Sequence, residues 1–325
     1  MGKKLYFIYN PNAGKHRLRD SLLPIIDIFV KAGYEVTIRP TQEKGDAEKT
    51  VLDLGDDYSL VVCAGGDGTL DEVVSGMLRR KKGIPIGFIP AGSTNDFAGS
   101  LCIPRNLLKA AKTAVNGFSF TCDVGCFNQR NFVYVAGFGV IADVSYATNQ
   151  GLKNVLGYPA YIIQGLMSIP KIRPYRLRIE YDDTVIEDDF ALGFISNSLS
   201  VGGFKNITGT EVVLDDGLFE VTLVKMPANV QNIHELAVTL FNGPKDTGFV
   251  RHFQTGKLKV ISEKRISWTL DGEFGGKHRE VILSNSQRAM QIVIPKDAAL
   301  PGSAGISPSD LKWVTDYGKA RNEGQ

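Results

Sequence analysis

The chain has 325 residues, 43% of them hydrophobic, with 37 Lys and Arg against 35 Asp and Glu for a formal net charge of +2. That length and apolar content allow sizeable cores and favour two domains over one. So mild a charge, with no stripe of Lys and Arg interleaved with aromatics, argues against a nucleic-acid partner. Cys63, Cys102, Cys122 and Cys126 lack the paired spacing of a zinc site and read as buried, reduced thiols of a cytoplasmic protein.

The opening residues are basic and then apolar only over residues 5–9, which stop at Asn10-Pro11. This is shorter than a secretory core of about 7–15 residues and reads as a first strand. Leu18, Leu22, Ile25, Ile26, Phe29 and Val30 recur at helical spacing before Gly33, so a covering helix follows. Residues 34–38, 60–64 and 85–89 are further strands, the last two each running into a glycine-bearing turn and then a helical pattern. Residues 1–128 therefore predict an α/β, doubly wound (Rossmann-like) domain whose turns gather at the carboxyl edge of a parallel sheet. From about 129 the rhythm changes to strands in succession, at 132–136, 176–181, 190–195, 218–224, 257–261, 266–270 and 290–294. Residues 129–300 therefore predict a mainly antiparallel β-sandwich domain, interrupted by one helical segment at 158–168, with 300–325 packing back on the first domain. The longest nearly apolar run, residues 132–142, carries Gly137 and Gly139 and falls short of the roughly 20 residues of a membrane-spanning helix.

Three turns at the predicted edge carry chemistry. Gly65-Gly66-Asp67-Gly68-Thr69 joins a buried strand to a helix, so its glycines let the backbone approach a polyphosphate and its helix start offers free N–H groups. A carboxylate beside phosphates is repulsive unless a cation intervenes, and Asp67 therefore suggests Mg²⁺ handling; the plainer alternative is a helix-capping Asp. Residues 90–98, which include Thr94 and Asp96, and residues 10–15 form the second and third turns. In the far half, Leu270-Asp271-Gly272-Glu273 reads as a strand ending in an Asp-Gly hairpin, with Glu273 either exposed or presented across an interdomain cleft. Leu214-Asp215-Asp216-Gly217-Leu218 is a second hairpin-like turn.

With N-P-x-A-G at 10–14, G-G-D-G-T at 65–69, G-S-T-N-D-F-A at 92–98, L-D-D-G-L at 214–218 and L-D-G-E at 270–273, the chain resembles the diacylglycerol kinase catalytic-domain family of lipid kinases in its small bacterial form. The resemblance spans almost all of residues 1–300. It implies that Asn10, Pro11, Asn12, Ala13, Gly14 and Thr41 help hold ATP, with Gly66, Asp67, Gly68, Thr69, Leu70, Asp71, Glu72 and Thr94 completing the nucleotide site. Asp67 and Asp96 would organise the catalytic Mg²⁺, with Asp123 in support through water, and Glu273 would accept the proton of the lipid hydroxyl. A structural Mg²⁺ is implied on the Asp216 carboxylate and the carbonyls near Val213 and Leu218. The sequence carries Asp71 where many relatives have Asn before Glu72. Lys153 matches the family pattern, and Lys171, Arg173, Arg176 and Arg178, beside the apolar residues of 158–168, offer either a contact with an anionic membrane surface or a solvated basic strand.

The expectation is an ATP- and Mg²⁺-dependent lipid kinase, cytoplasmic or peripheral on the inner face of the membrane. Diacylglycerol is the favoured acceptor beside phosphatidylglycerol, a sphingoid base or a prenol. An NAD kinase-like enzyme and a non-catalytic nucleotide- or lipid-binding regulator are the other readings. An exposed sheet edge could pair two copies as a homodimer.

Overall fold

A computed structural model describes residues 2–92, 94–139, 174–201, 204–205, 208–209, 212–225 and 243–300. Its first half alternates strand and helix: β1 (Lys3–Tyr9), α1 (Arg17–Lys31), β2 (Tyr34–Pro40), α2 (Asp46–Leu52), β3 (Tyr58–Gly65), α3 (Asp67–Leu78), β4 (Ile86–Pro90), α4 (Asp96–Ser100) and α5 (Leu107–Asn116). The parallel strands run in the order β2, β1, β3, β4, as the doubly wound expectation requires. Strands β3 and β4 are continuous apolar runs because helices cover both faces, which leaves Val61, Val62, Ile86 and Ile89 without solvent contact. Register then sets the site: Tyr9 lies beside Ala64 and Pro40, and Gly65 beside Pro90, so these strands end level with one another.

The second half is a strand succession: β5 (Phe118–Phe127), β6 (Arg130–Phe132), β7 (Val135–Gly139), β8 (Tyr175–Tyr181), β9 (Thr184–Ser196), β10 (Ser200–Val201), β11 (Phe204–Lys205), β12 (Phe219–Lys225), β13 (Val250–Thr255), β14 (Lys257–Leu270) and β15 (Glu273–Ile294). Pairings from β7 to β14 are antiparallel and enclose a core of their own around the fully buried Trp268, against which the rings of Phe127 and Phe138 pack at 5.1 and 5.0 Å. The two halves share one sheet, because the 22-residue β15 pairs with β14 at its start and, at Ile292 and Val293, lies parallel to β4. Residues 290–294, expected in the second region, thus lie between β4 and β5. Of the expected return by residues 300–325 only Leu300 is described, buried in the core that includes β1 to β4; residues 301–325, Lys153 and the helical segment 158–168 lie outside the described residues. The single strand expected at 132–136 is broken by a bend into β6 and β7, and the two expected at 257–261 and 266–270 are one long strand.

Arg176 faces Asp189 of β9 at 3.9 Å, and Arg178 bonds Glu180 of its own strand and Glu187 of β9 at 2.6 Å each, while Lys171 and Arg173 of the same basic stretch lie outside the described residues. Among the described residues no helix is long and apolar enough to cross a membrane. Cys63 and Cys122 are buried as expected, whereas Cys102 is exposed and Cys126 half-buried: Cys102 lies in a turn after α4 with φ +57°, which carries its side chain outward.

Candidate active site

The level strand ends open into a cleft of about 1030 Å³ at the carboxyl edge of the parallel sheet. Backbone hydrogen bonds tie its three turns together: Asn10 N to Ala64 O at 2.9 Å, Thr41 N to Tyr9 O at 2.9 Å, and Ala91 N to Gly65 O at 2.7 Å. Asn10, Asn12, Ala13 and Gly14 line one wall, Thr41 another, and Gly66, Gly68, Thr69 and Glu72 the base. Small residues are required here by close approach. A Cβ on Gly92 would lie 2.7 Å from the Cα of Gly66, and Gly14, at φ +72°, packs its backbone against Ala91 O.

Glu273 lines the same cleft. It is carried there by the Asp271-Gly272 turn between β14 and β15, whose φ values of +49° and +83° are those of a tight mirror-image hairpin. The hairpin and the presentation of Glu273 across the cleft, posed as alternatives by the sequence, are the same structure. Asp271 fixes the tip: its carboxylate accepts from the backbone N–H groups of Val133, Tyr134 and Val135 at 2.6, 2.9 and 2.9 Å. A Cβ on Gly68 would sit 3.0 Å from Glu273 Oε1, so the start of α3 and the hairpin tip are in contact range. Lys44 bonds Glu273 Oε2 from the N-terminal side.

Behind the cleft lies a row of carboxylates. Burial, then the charges of Asp96 and Asp271, pushes Asp67 up to about 7, against backbone hydrogen bonds from Asn95 and from its own N–H. Burial, opposed by its three amide donors, leaves Asp271 at about 6, with Glu273 adding to the rise. Asp71 is raised by burial and then by Asp271 and Glu273, with Arg130 opposing. Oδ1 of Asp67 and Oδ1 of Asp71 are sealed from solvent without a hydrogen-bond partner. Asp96 is buried and accepts from Ser200 Oγ at 2.9 Å. Asn95, at φ +51°, closes its turn through Gly92 N at 2.9 Å and Gly92 O at 2.8 Å.

Other predicted residues are placed differently. Leu70 is core. Glu72 spends its carboxylate on the start of α2, accepting from Gly45 N at 2.8 Å and Ala47 N at 3.2 Å, while its side chain forms cleft wall. Pro11 and Thr94 are not on the cleft wall, and the Thr94 carbonyl accepts from Arg105 Nη2 at 3.2 Å. Ser93 of the second turn is not among the described residues. Asp123 belongs with the 214–218 turn: it accepts from Gly217 N at 2.7 Å and Arg288 N at 2.8 Å. In that turn Asp216 Oδ1 accepts from Leu218 N at 2.9 Å, Leu218 O accepts from Asn285 Nδ2 at 2.9 Å, and Arg288 pairs with Asp215 at 3.0 Å. Burial, then Asp215, raises Asp216. Sequence reasoning missed Lys44, Arg17 and the clamping role of Asp271; only Asp271 left a signal, as the Asp of an Asp-Gly turn.

Both acidic loci fit a hard divalent cation in kind. The unpartnered Asp67 oxygen beside Asp96, and the raised Asp216 carboxylate, are the oxygen donors such an ion takes. Among the described residues no three acidic, His or Cys side chains converge on one point, so carbonyls, phosphate oxygens or water would complete either shell.

Residues 4–127 match the diacylglycerol kinase catalytic domain, and residues 134–294 match the YegS C-terminal NAD kinase beta sandwich-like domain. The diacylglycerol kinase of Bacillus subtilis (strain 168) is 33% identical over 300 residues, covering 91% of this chain and 98% of the relative. That of Staphylococcus carnosus (strain TM300) is 33% identical over 303 residues, covering 91% and 97%. A solved structure of a diacylglycerol kinase from Bacillus anthracis str. Sterne superposes with a TM-score of 0.73 at 22% identity, covering 92% of this chain and 99% of that one, which bears on fold alone. With its motifs, its two-part fold and relatives matched end to end, the chain belongs to the diacylglycerol kinase family of lipid kinases.

Proposed function

We propose that this kinase transfers the γ-phosphoryl group of ATP to the hydroxyl of diacylglycerol, giving phosphatidic acid. The observation that carries the reading is the meeting of Glu273, from the sandwich half, with three loops of the parallel sheet in one cleft. The nucleotide lies over the glycine turns, where the backbone of Gly66 and Gly68 allows close approach and the start of α3 favours negative charge. Glu273 holds the acceptor hydroxyl and takes its proton as the hydroxyl oxygen bonds to the γ-phosphorus. The bond from that phosphorus to the bridging oxygen breaks, and ADP leaves with the electron pair. Asp67 and Asp96 would hold Mg²⁺, which when bound supplies positive charge against the phosphate oxygens. Asp216, with the carbonyls of Val213 and Leu218, would hold a second, structural ion. An acceptor of this class lies in a bilayer, so the chain works at a membrane surface from the side that holds ATP.

Incubation of the purified protein with γ-labelled ATP and Mg²⁺, in mixed micelles containing diacylglycerol, phosphatidylglycerol, a sphingoid base or a prenol, tests the assignment. Label is expected in phosphatidic acid. Label confined to another lipid reassigns the acceptor, and phosphorylation of NAD without lipid makes the enzyme a soluble kinase. Calorimetric binding of ATP with no transfer to any acceptor makes it a regulator.

A further inference from the structure

One cation of the cleft stands outside the chemistry above. Among the described side chains lining the cleft, Arg17 and Lys44 are positive, and Lys44 is the one that touches Glu273. Its loop is rigid at the backbone. Thr41 N bonds Tyr9 O at 2.9 Å, Gln42 N bonds Asp46 Oδ2 at 2.9 Å, and Gly45 N bonds Glu72 Oε1 at 2.8 Å, so the lysine stem has a fixed root. The arm itself is 76% exposed and its partner carboxylate group 46% exposed. An ion pair that wet is weak and easily exchanged. Lys44 therefore joins two properties: a fixed origin on the sheet edge, and a head that can leave its partner for a stronger anion within reach.

The surroundings say which way it would go. Glu273 is flanked by Asp71 and Asp271, each raised in part by its charge, and among the described residues the Lys44 ammonium is the cation that pairs with it. A multiply charged triphosphate arriving in the same cleft offers an ammonium several charge-assisted hydrogen bonds in place of one exposed carboxylate. We infer that Lys44 is a nucleotide-responsive positioning residue: it pairs with Glu273 while the cleft is empty, and passes to the phosphate oxygens when ATP binds, freeing Glu273 for the acceptor hydroxyl. The inference rests on the cleft being the nucleotide site. Its consequence is a bias in the order of events, since an arriving phosphoryl donor draws the ammonium away from the base.

Zero-length carbodiimide cross-linking of the full chain, read by peptide mass spectrometry, tests it without an activity assay. The nucleotide-free protein should form a 44–273 cross-link, and a saturating non-hydrolysable ATP analogue with Mg²⁺ should suppress it about fivefold or more, as charge-assisted bonds to phosphate outcompete the exposed pair. The Lys4–Asp57 pair, at 2.6 Å and far from the cleft, is the internal control and should cross-link equally in both states. A 44–273 yield unchanged by bound analogue, or no such cross-link in the nucleotide-free protein while the control forms, overturns the inference. In kinetics Lys44→Met should raise the KM for ATP about tenfold, the worth of a charge-assisted hydrogen bond, and Lys44→Arg should restore it to within a few-fold; an unaltered KM in Lys44→Met also overturns it. Failure of the analogue to bind at all, seen by calorimetry, would instead bring down the nucleotide reading of the cleft and this inference with it.

Discussion

Asp67 shows the tension between stability and chemistry at a single residue. In the folded chain its pKa lies near 7 through burial and then Asp96, against an ordinary 3.8. The folded state therefore holds a proton that the unfolded state releases. At pH below about 4 both states are protonated and Asp67 contributes nothing; between 4 and 7 stability falls as pH rises, and above 7 the whole cost is present. Asp67→Asn removes that cost. The variant should unfold at the same denaturant midpoint as the parent near pH 4 and be more stable by about 4 kcal/mol at pH 8 without Mg²⁺, while phosphoryl transfer is lost. A variant less stable than the parent at pH 8 would mean that the carboxylate is held by contacts stronger than its desolvation.

At the scale of elements, the start of α3 and the β14–β15 hairpin act as one unit through Gly68 and Glu273. Gly68→Ala should stabilise the helix slightly, by up to about 1 kcal/mol, yet its Cβ would sit 3.0 Å from Glu273 Oε1 and push the carboxylate from its place. The expected result is a melting temperature equal to or above the parent with kcat lowered, since the carboxylate must give by a few tenths of an ångström and transfer reactions are sensitive to the placement of the base. The 214–218 turn makes a separate prediction. Asp216→Asn keeps the acceptor for Leu218 N but removes the charge, so saturating Mg²⁺ should raise the melting temperature of the parent and leave this component of the response absent in the variant, as linkage to a folded-state site requires. Equal responses in a thermal scan would remove Asp216 from the ion's ligands.

The elements also show what a sequence can and cannot disclose. Strands β1, β3 and β4 were legible because strands inside the sheet carry apolar runs, and their turns because glycine and Asn-Pro punctuate them, whereas β2 is an edge strand with no buried residue that showed through the alternation of Tyr34, Val36 and Ile38. β5 was missed: its alternation includes Thr121 and the buried Asp123, which disguise a strand paired along its whole length with β15. Only the last residues of β15 were seen, since its register shifts between Ser286 and Met290 and Arg288 takes φ +51°, which breaks the two-residue pattern. The motif residues of the cleft could be read one by one. Lys44 could not, because nothing in local spacing tells a loop lysine that its partner lies 229 residues away.

Over the whole molecule, the long β15 ties the two halves into one sheet, so Glu273 reaches the carboxyl edge of the parallel strands as part of the same framework that carries Asp67, not by chance contact of two independent bodies. The central claim is that this convergence makes one phosphoryl-transfer site. Glu273→Gln tests it most directly, by steady-state transfer to diacylglycerol alongside calorimetric binding of ATP with Mg²⁺. The account predicts a fall in kcat of about 10²–10⁴ with nucleotide binding retained. Full turnover in Glu273→Gln would contradict it.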